Sequence, residues 1–263
     1  MGFANVVVDA TPGAGVRRRL EAARRMTSVY GGKLVAVAAA WPLKSLARDV
    51  FGAPGATQIE TFTLERALES TKSIFDQEVG AIQAIEWCAS VTEPLTALCD
   101  HALTADLVIT AAEASPVCAM VDPAELALRS GTPVLRLGET SPPFDKVIVG
   151  WKDTAEARRA AHEALPFLTR ATSVLVVGVG DGAKSHRIAA VADHLKRHGA
   201  PACHVHLPGS GGVAGQLREF VEAEGASLLV TGAYSRSRGR ERFLGGVTRD
   251  LLAGGGPAWL FAH

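Results

Sequence analysis

No stretch of this chain of 263 residues is apolar over the roughly 18–20 residues that a membrane helix needs. The N-terminus, MGFANVVVDATPGAG, lacks the charged start and apolar run of a secretory signal. Val6 stands where a myristoylation pattern would have Ser or Thr. Cysteine is scarce: Cys88, Cys99, Cys118 and Cys203 form no CxxC pair, and the expected state is buried free thiols in a reducing compartment. Neither sign of charge is in excess. Lys plus Arg number 27 and Asp plus Glu 27, which excludes a surface that attracts nucleic acid or anionic lipid as a whole. GxxxxGK[ST] and GxSxG are also missing, so neither a Walker phosphate loop nor a nucleophile elbow is written in the chain. These absences lead to the expectation of a cytoplasmic protein with no membrane and no nucleic-acid partner.

What the chain does have is a regular alternation. Short apolar runs rich in Val, Leu and Ala recur at NVVVDA (5–10), KLVAVAAAW (33–41), AIEWCAS (84–90), ADLVITAA (105–112) and TPVLRLG (132–138). Between them lie segments with helical spacing. GVRRRLEAARRMTSVYGG (15–32) carries Val16, Leu20, Ala23 and Met26 or Thr27 on one face, and glycines close it. IETFTLERALESTKSIFDQEVG (59–80) has Phe62, Leu64, Leu68 and Phe75 among its apolar positions. EPLTALCDHALT (93–104) is a third helical segment. DPAELALRSG (122–131) opens on an N-cap Asp and a first-turn Pro and ends on Gly. The paired prolines of ETSPPFD (139–145) mark a linker. The same order then repeats: strands at 146–151, 173–179, 202–208, 227–231 and the WLFAH end, with helices at 155–170, 185–199 and 212–225.

DLVIT (106–110) matches SLLVT (227–231), and Pro133-Val-Leu matches Pro257-Ala-Trp-Leu, which supports an internal repeat. Continuous apolar strands joined by helical connections require a parallel sheet covered on both faces and right-handed crossovers. The expected fold is α/β: two doubly wound, parallel five-stranded domains in tandem, spanning 1–138 and 144–263.

Several patterns have an ordinary explanation. Gly178-x-Gly180-x-Gly182 and Gly209-x-Gly211 are fragments of dinucleotide fingerprints without a correctly placed third glycine or the acidic partner at the end of the next strand, and read as turns. His204 with His206, and His194 with His198, have spacings seen at zinc sites, but no Cys or carboxylate cluster completes them, so no metal site is read. Arg17, Arg18, Arg19, Arg24 and Arg25 read as a solvated helix face or a contact for acidic partners.

The segment TGAYSRSRGRERFLGGVTRDLL (231–252) is different. It leaves the end of a strand, where ligands of open α/β sheets bind. Its glycines allow close approach of a ligand, a helix start near Gly245 aims free N–H groups at an anion, and Arg236, Arg238, Arg240 and Arg242 add charge. An ordinary solvated loop is the alternative.

Gly232-x-x-Ser235, nine residues, then Gly245-Gly246-Val247-Thr248 resembles the Gly-x-x-Gly, nine-residue, Gly-Ser/Thr signature of the universal stress protein family, with Ser235 in place of the second Gly and Gly246 in place of Ser or Thr. The chain as a whole resembles the tandem bacterial form. The resemblance implies an adenine nucleotide alpha hydrolase-like fold and a role in stress response. It also implies ATP or another adenine nucleotide in the second domain, held by Asp153, Val179, Gly232, Ser235, Gly245, Gly246, Val247 and Thr248. The family's acidic residue after its first strand falls on Lys152, with Asp153 next; its adenine contact, made through backbone, falls on Val179. The first domain lacks the signature and reads as degenerate, although Asp9 ends its first strand. Magnesium would enter with ATP. Pairing of the two domains within the chain, with a homodimer as a further option, is implied as well. The expected role is a binding and regulatory module without a dedicated catalytic residue. The alternatives are a slow ATPase at the same loop, with Asp153 or Glu241 as base, and a nucleotide-free scaffold.

Overall fold

The computed structural model describes residues 2–42, 56–80, 84–111, 113, 115, 118–181, 184–209, 212–232 and 256–263. Packing divides them into two compact units, Gly2–Thr132 and Pro133–His263. Both are α/β with parallel sheets, and their strands and helices follow the repeat expected from the sequence.

In Gly2–Thr132 the elements are β1 (Asn5–Asp9), α1 (Val16–Tyr30), β2 (Lys33–Ala39), α2 (Ala56–Val79), β3 (Ile85–Ser90), α3 (Pro94–Ala102), β4 (Leu107–Ala111) and α4 (Pro123–Ser130). The strand order is β3-β2-β1-β4, all parallel. Val7 pairs with Val35 on one side and Val108 on the other, and β1 and β4 are buried almost throughout. Burial on both faces is why these runs show no alternation of apolar and polar residues.

Helix α1 buries Val16, Leu20, Ala23, Met26 and Thr27 on the expected face, and Arg19 with them. In α2 the buried stripe is Leu64, Leu68, Phe75 and Val79. Phe62 is exposed, a correction to its expected place: it lies two residues before Leu64, off the three-to-four spacing that keeps a face toward the core. Helix α4 begins as its sequence dictates. The Asp122 carboxylate accepts from the Ala124 and Glu125 amides at 2.8 and 3.3 Å, Pro123 follows, and Gly131 closes the helix at φ 68°.

In Pro133–His263 the elements are β5 (Val134–Leu137), β6 (Lys146–Trp151), α5 (Ala155–Glu163), α6 (Leu165–Leu168), β7 (Ser173–Val179), α7 (Ser185–Arg197), β8 (Ala202–Leu207), α8 (Val213–Ala223), β9 (Leu228–Gly232) and β10 (Ala258–Ala262). The order is β5-β10-β9-β6-β7-β8. All neighbours are parallel except β5 and β10, which run antiparallel with Leu135 opposite Leu260. The segment read as one helix over 155–170 is two. Helix α5 ends at Glu163, and the short α6 restarts with Pro166 in its first turn, where a missing N–H costs nothing.

Every residue of β10 is buried. The Trp259 indole donates to Thr231 Oγ1 at 2.9 Å, and the rings of Trp259 and Phe261 lie 4.3 Å apart. The proline-bearing linker is fastened to the same region. Glu139 N donates to Gly256 O at 2.7 Å, Thr140 Oγ1 donates to Ser227 O at 2.6 Å, and Ala258 N donates to Thr140 Oγ1 at 2.9 Å.

The thiols correct one expectation. Cys118 is buried, Cys88 and Cys99 are half-buried, and Cys203 is exposed on the edge strand β8. All four are free. Burial pushes the Cys118 thiol above its ordinary value, so it is a poor nucleophile.

Gly138 is required by its surroundings. A Cβ there would lie 2.1 Å from Gly256 O and 2.3 Å from Pro257 O, both backbone atoms with little room to yield. Gly138→Ala is expected to lower the stability of the Pro133–His263 unit by about 3 kcal/mol, measured as a fall in the denaturant midpoint monitored by Trp fluorescence.

Candidate functional site

Strands β6, β7 and β8 are laid down successively away from β6, and the chain then returns to place β9 on the other side of β6. The two directions of winding part between β6 and β9. Connections diverge there and leave a crevice beyond the carboxyl ends of the strands. Three expected site residues meet along this edge: Asp153 just past β6, Val179 at the end of β7, and Gly232 at the end of β9. Ser235, Gly245, Gly246, Val247, Thr248 and Glu241 lie outside the described residues.

Asp153 is held from two sides. Its Oδ1 accepts from the Trp151 indole at 3.0 Å and its Oδ2 from Arg187 Nη1, on α7, at 2.8 Å. Partial burial raises its pKa, but the indole bond and the Arg187 guanidinium outweigh that and hold the carboxyl below its ordinary value. Lys152, next to it in the chain just past β6, is exposed. Thr154 caps α5 by accepting from the Ala157 amide at 3.2 Å.

Val179 is buried and lies one residue past the last β6–β7 pair, Trp151 with Gly178. Gly180 follows at φ 66°, and its carbonyl lies 3.0 Å from His206 Nε2. Gly232 packs against the first turn of α5. A Cβ there would lie 2.6 Å from Ala157 N and 2.8 Å from Glu156 Cβ. The glycine is thus needed for the helix to sit over the strand.

The equivalent crevice of Gly2–Thr132 lies between β1 and β4, and its chemistry was missed in the sequence. Val8 pairs with Ile109 as Val149 pairs with Val230. Asp9 therefore stands at the level of Gly150, and Thr11 at the level of Lys152. Asp9 is fully buried. Its carboxylate accepts from the Thr11 amide and from the Thr110 hydroxyl, each at 2.9 Å.

Arg19 corrects the expectation of a solvated arginine face, because it is wholly buried. Its Nε donates to Asp9 O at 2.6 Å, its Nη2 to Thr11 O, and its Nη1 to Glu113 Oε2 at 2.8 Å. Arg18 donates to the other Glu113 oxygen at 2.7 Å. Two other arginines of this stretch do form ion pairs at the surface, Arg17 with Glu78 and Arg25 with Glu21. A signal was present: Arg19 is three residues after Val16 and four before Ala23, on the apolar stripe itself.

Among the described residues no group of three or more His, Cys, Asp or Glu could hold a metal ion, and no helix is long and apolar enough to cross a membrane. His194 and His198 stack edge to face, with ring centroids 4.7 Å apart.

No family model and no curated protein matches the chain. Solved structures do. A universal stress protein from Archaeoglobus fulgidus DSM 4304 superposes with a TM-score of 0.70 at 12% identity, over 98% of this chain and 95% of that one. A functionally unknown protein from Pseudomonas aeruginosa PAO1 superposes with a TM-score of 0.58 at 13% identity, over 99% and 92%. The chain has the universal stress protein fold along its whole length.

Depression of the Asp153 pKa has a stability consequence of definite sign. The pairing contributes above the unfolded Asp value of about 3.9. It is lost as pH falls through the lower folded value. Asp153→Asn is expected to be less stable than wild type at pH 6–7, with the gap narrowing once pH drops below about 4. Thermal unfolding of both proteins across pH 2.5–7 checks this.

Proposed function

We propose that the protein is a regulatory binding module of the universal stress protein type, which takes ATP or another adenine nucleotide at the carboxyl ends of β6, β7 and β9. The observation that carries this reading is the convergence of Asp153, Val179 and Gly232 on one sheet edge at the winding switch between β6 and β9. The glycine- and arginine-rich segment with Ser235, Gly245, Gly246, Val247 and Thr248 leaves directly from that edge. Lys152 at the mouth suits a polyanion, and the buried end of β7 at Val179 offers backbone and apolar surface to a purine. Magnesium would arrive with the triphosphate.

One observation favours a second reading, a scaffold without nucleotide. Helix α5 by itself accounts for the glycine at 232, and Trp151 and Arg187 already occupy the Asp153 carboxylate.

Calorimetric titration with ATP and magnesium separates the two. One nucleotide per chain is expected, with affinity reduced roughly tenfold, about 1.4 kcal/mol, in Gly245→Val at unchanged thermal stability. Absence of binding heat in the wild type leaves the scaffold.

A further inference from the structure

We infer that Glu113 is the resident anion of the Gly2–Thr132 unit: a carboxylate of the chain itself fills a built oxyanion site between β1, β4 and the start of α1. The inference concerns a different unit from the nucleotide reading and stands without it.

The site has the parts of an anion receptor. Arg19 is fully buried, and backbone carbonyls of Asp9 and Thr11 fix its Nε and Nη2, which leaves Nη1 presented to one Glu113 oxygen. Arg18, partly exposed, takes the other oxygen. Two guanidinium groups thus grip two oxygens of one group, the arrangement that suits phosphate as well as carboxylate. The Glu113 carboxyl also lies where a side chain on Gly15 would be: a Cβ there would fall 1.6–1.8 Å from its carboxyl atoms. Gly15 is the residue before α1, so the group rests against a helix N-terminus. Thr11 Oγ1, buried in the same loop, has no hydrogen-bond partner among the described residues.

The charges explain why a tethered group holds the place. Arg18 and Arg19 face Glu113, while the nearby Asp9 carboxylate accepts hydrogen bonds from Thr11 N and Thr110 Oγ1. A free oxyanion would have to displace a competitor whose local concentration is of order millimolar or above. The wild-type unit is closed to free anions for that reason, and its glycine-bearing turn Gly13-Ala14-Gly15 serves the chain's own carboxylate.

Glu113→Ala removes the carboxylate and empties its place, leaving Arg19 buried without its counter-ion. The variant is expected to unfold roughly 10 °C lower than wild type. Millimolar inorganic phosphate is expected to restore about half of that loss in a saturable manner. The wild type should gain nothing beyond the effect of potassium chloride at equal ionic strength. Gly15→Ala added to Glu113→Ala puts a methyl group in the vacated place and should abolish the phosphate gain. An identical phosphate response in wild type and Glu113→Ala overturns the inference. If Glu113→Ala does not fold in chloride, refolding yield gives the same decision: recovery in phosphate supports the site, and no recovery overturns it. ATP binding to the other unit, present or absent, appears equally in wild type and variant, so the two readings fail separately.

Discussion

The parallel ladder between β6 and β9 is the constraint on which the second unit turns. Val147, Ile148 and Val149 pair with Leu228, Leu229 and Val230, and none of the six is accessible to more than a trace of solvent. A strand so enclosed has no free side chain along its length. Reactive groups can emerge only where the ladder stops, at Trp151 to Asp153 and at Gly232. The chain winds away from this pair in opposite directions, the arrangement that opens a crevice at the carboxyl ends of such strands. The crevice is thus a by-product of strand order, and the side chains around it decide what it holds.

The two crevices of the chain are treated differently. In the first, the buried Arg19 and the partly exposed Arg18 close on Glu113, and the Asp9 carboxylate is bonded to Thr11 and Thr110. In the second, Asp153 is drawn aside by Trp151 and Arg187, and Lys152 stands in the open. The repeat is visible in the matched registers of β1–β4 and β6–β9. Electrostatics, not backbone, separates the halves: one switch point is satisfied from within, and beside the other stands the exposed Lys152.

Much of the architecture could be read before the structure. The central strands β1, β4, β6 and β9 were legible because parallel, doubly covered strands need uninterrupted apolar runs, and Asp122-Pro123 with Gly131 fixed α4 to within a residue. Register was less accessible. Asp9 was read as ending the first strand, and the ladder places it two residues deeper than the level of Lys152, with its carboxylate bonded to Thr110. Arg19 was read with its neighbours as a charge run, although its spacing from Val16 and Ala23 put it on the buried stripe. Its partner Glu113 is far away in sequence, and no local pattern predicts that meeting. Gly232 shows the opposite case: its place was foreseen, but the contact that requires a glycine comes from α5.

The burial of β10 has a consequence for how the second unit is assembled. Its two neighbours, β9 and β5, come from opposite ends of that unit's sequence, and β5 is the first strand of it to be synthesised. Until β10 inserts, β5 has no antiparallel partner and β9 has an unpaired edge. Closure of this sheet therefore waits on a contact between distant segments, which raises contact order and slows folding. In the interval a long apolar edge is open to other chains, so this is the step at which the nascent protein would most benefit from a chaperone.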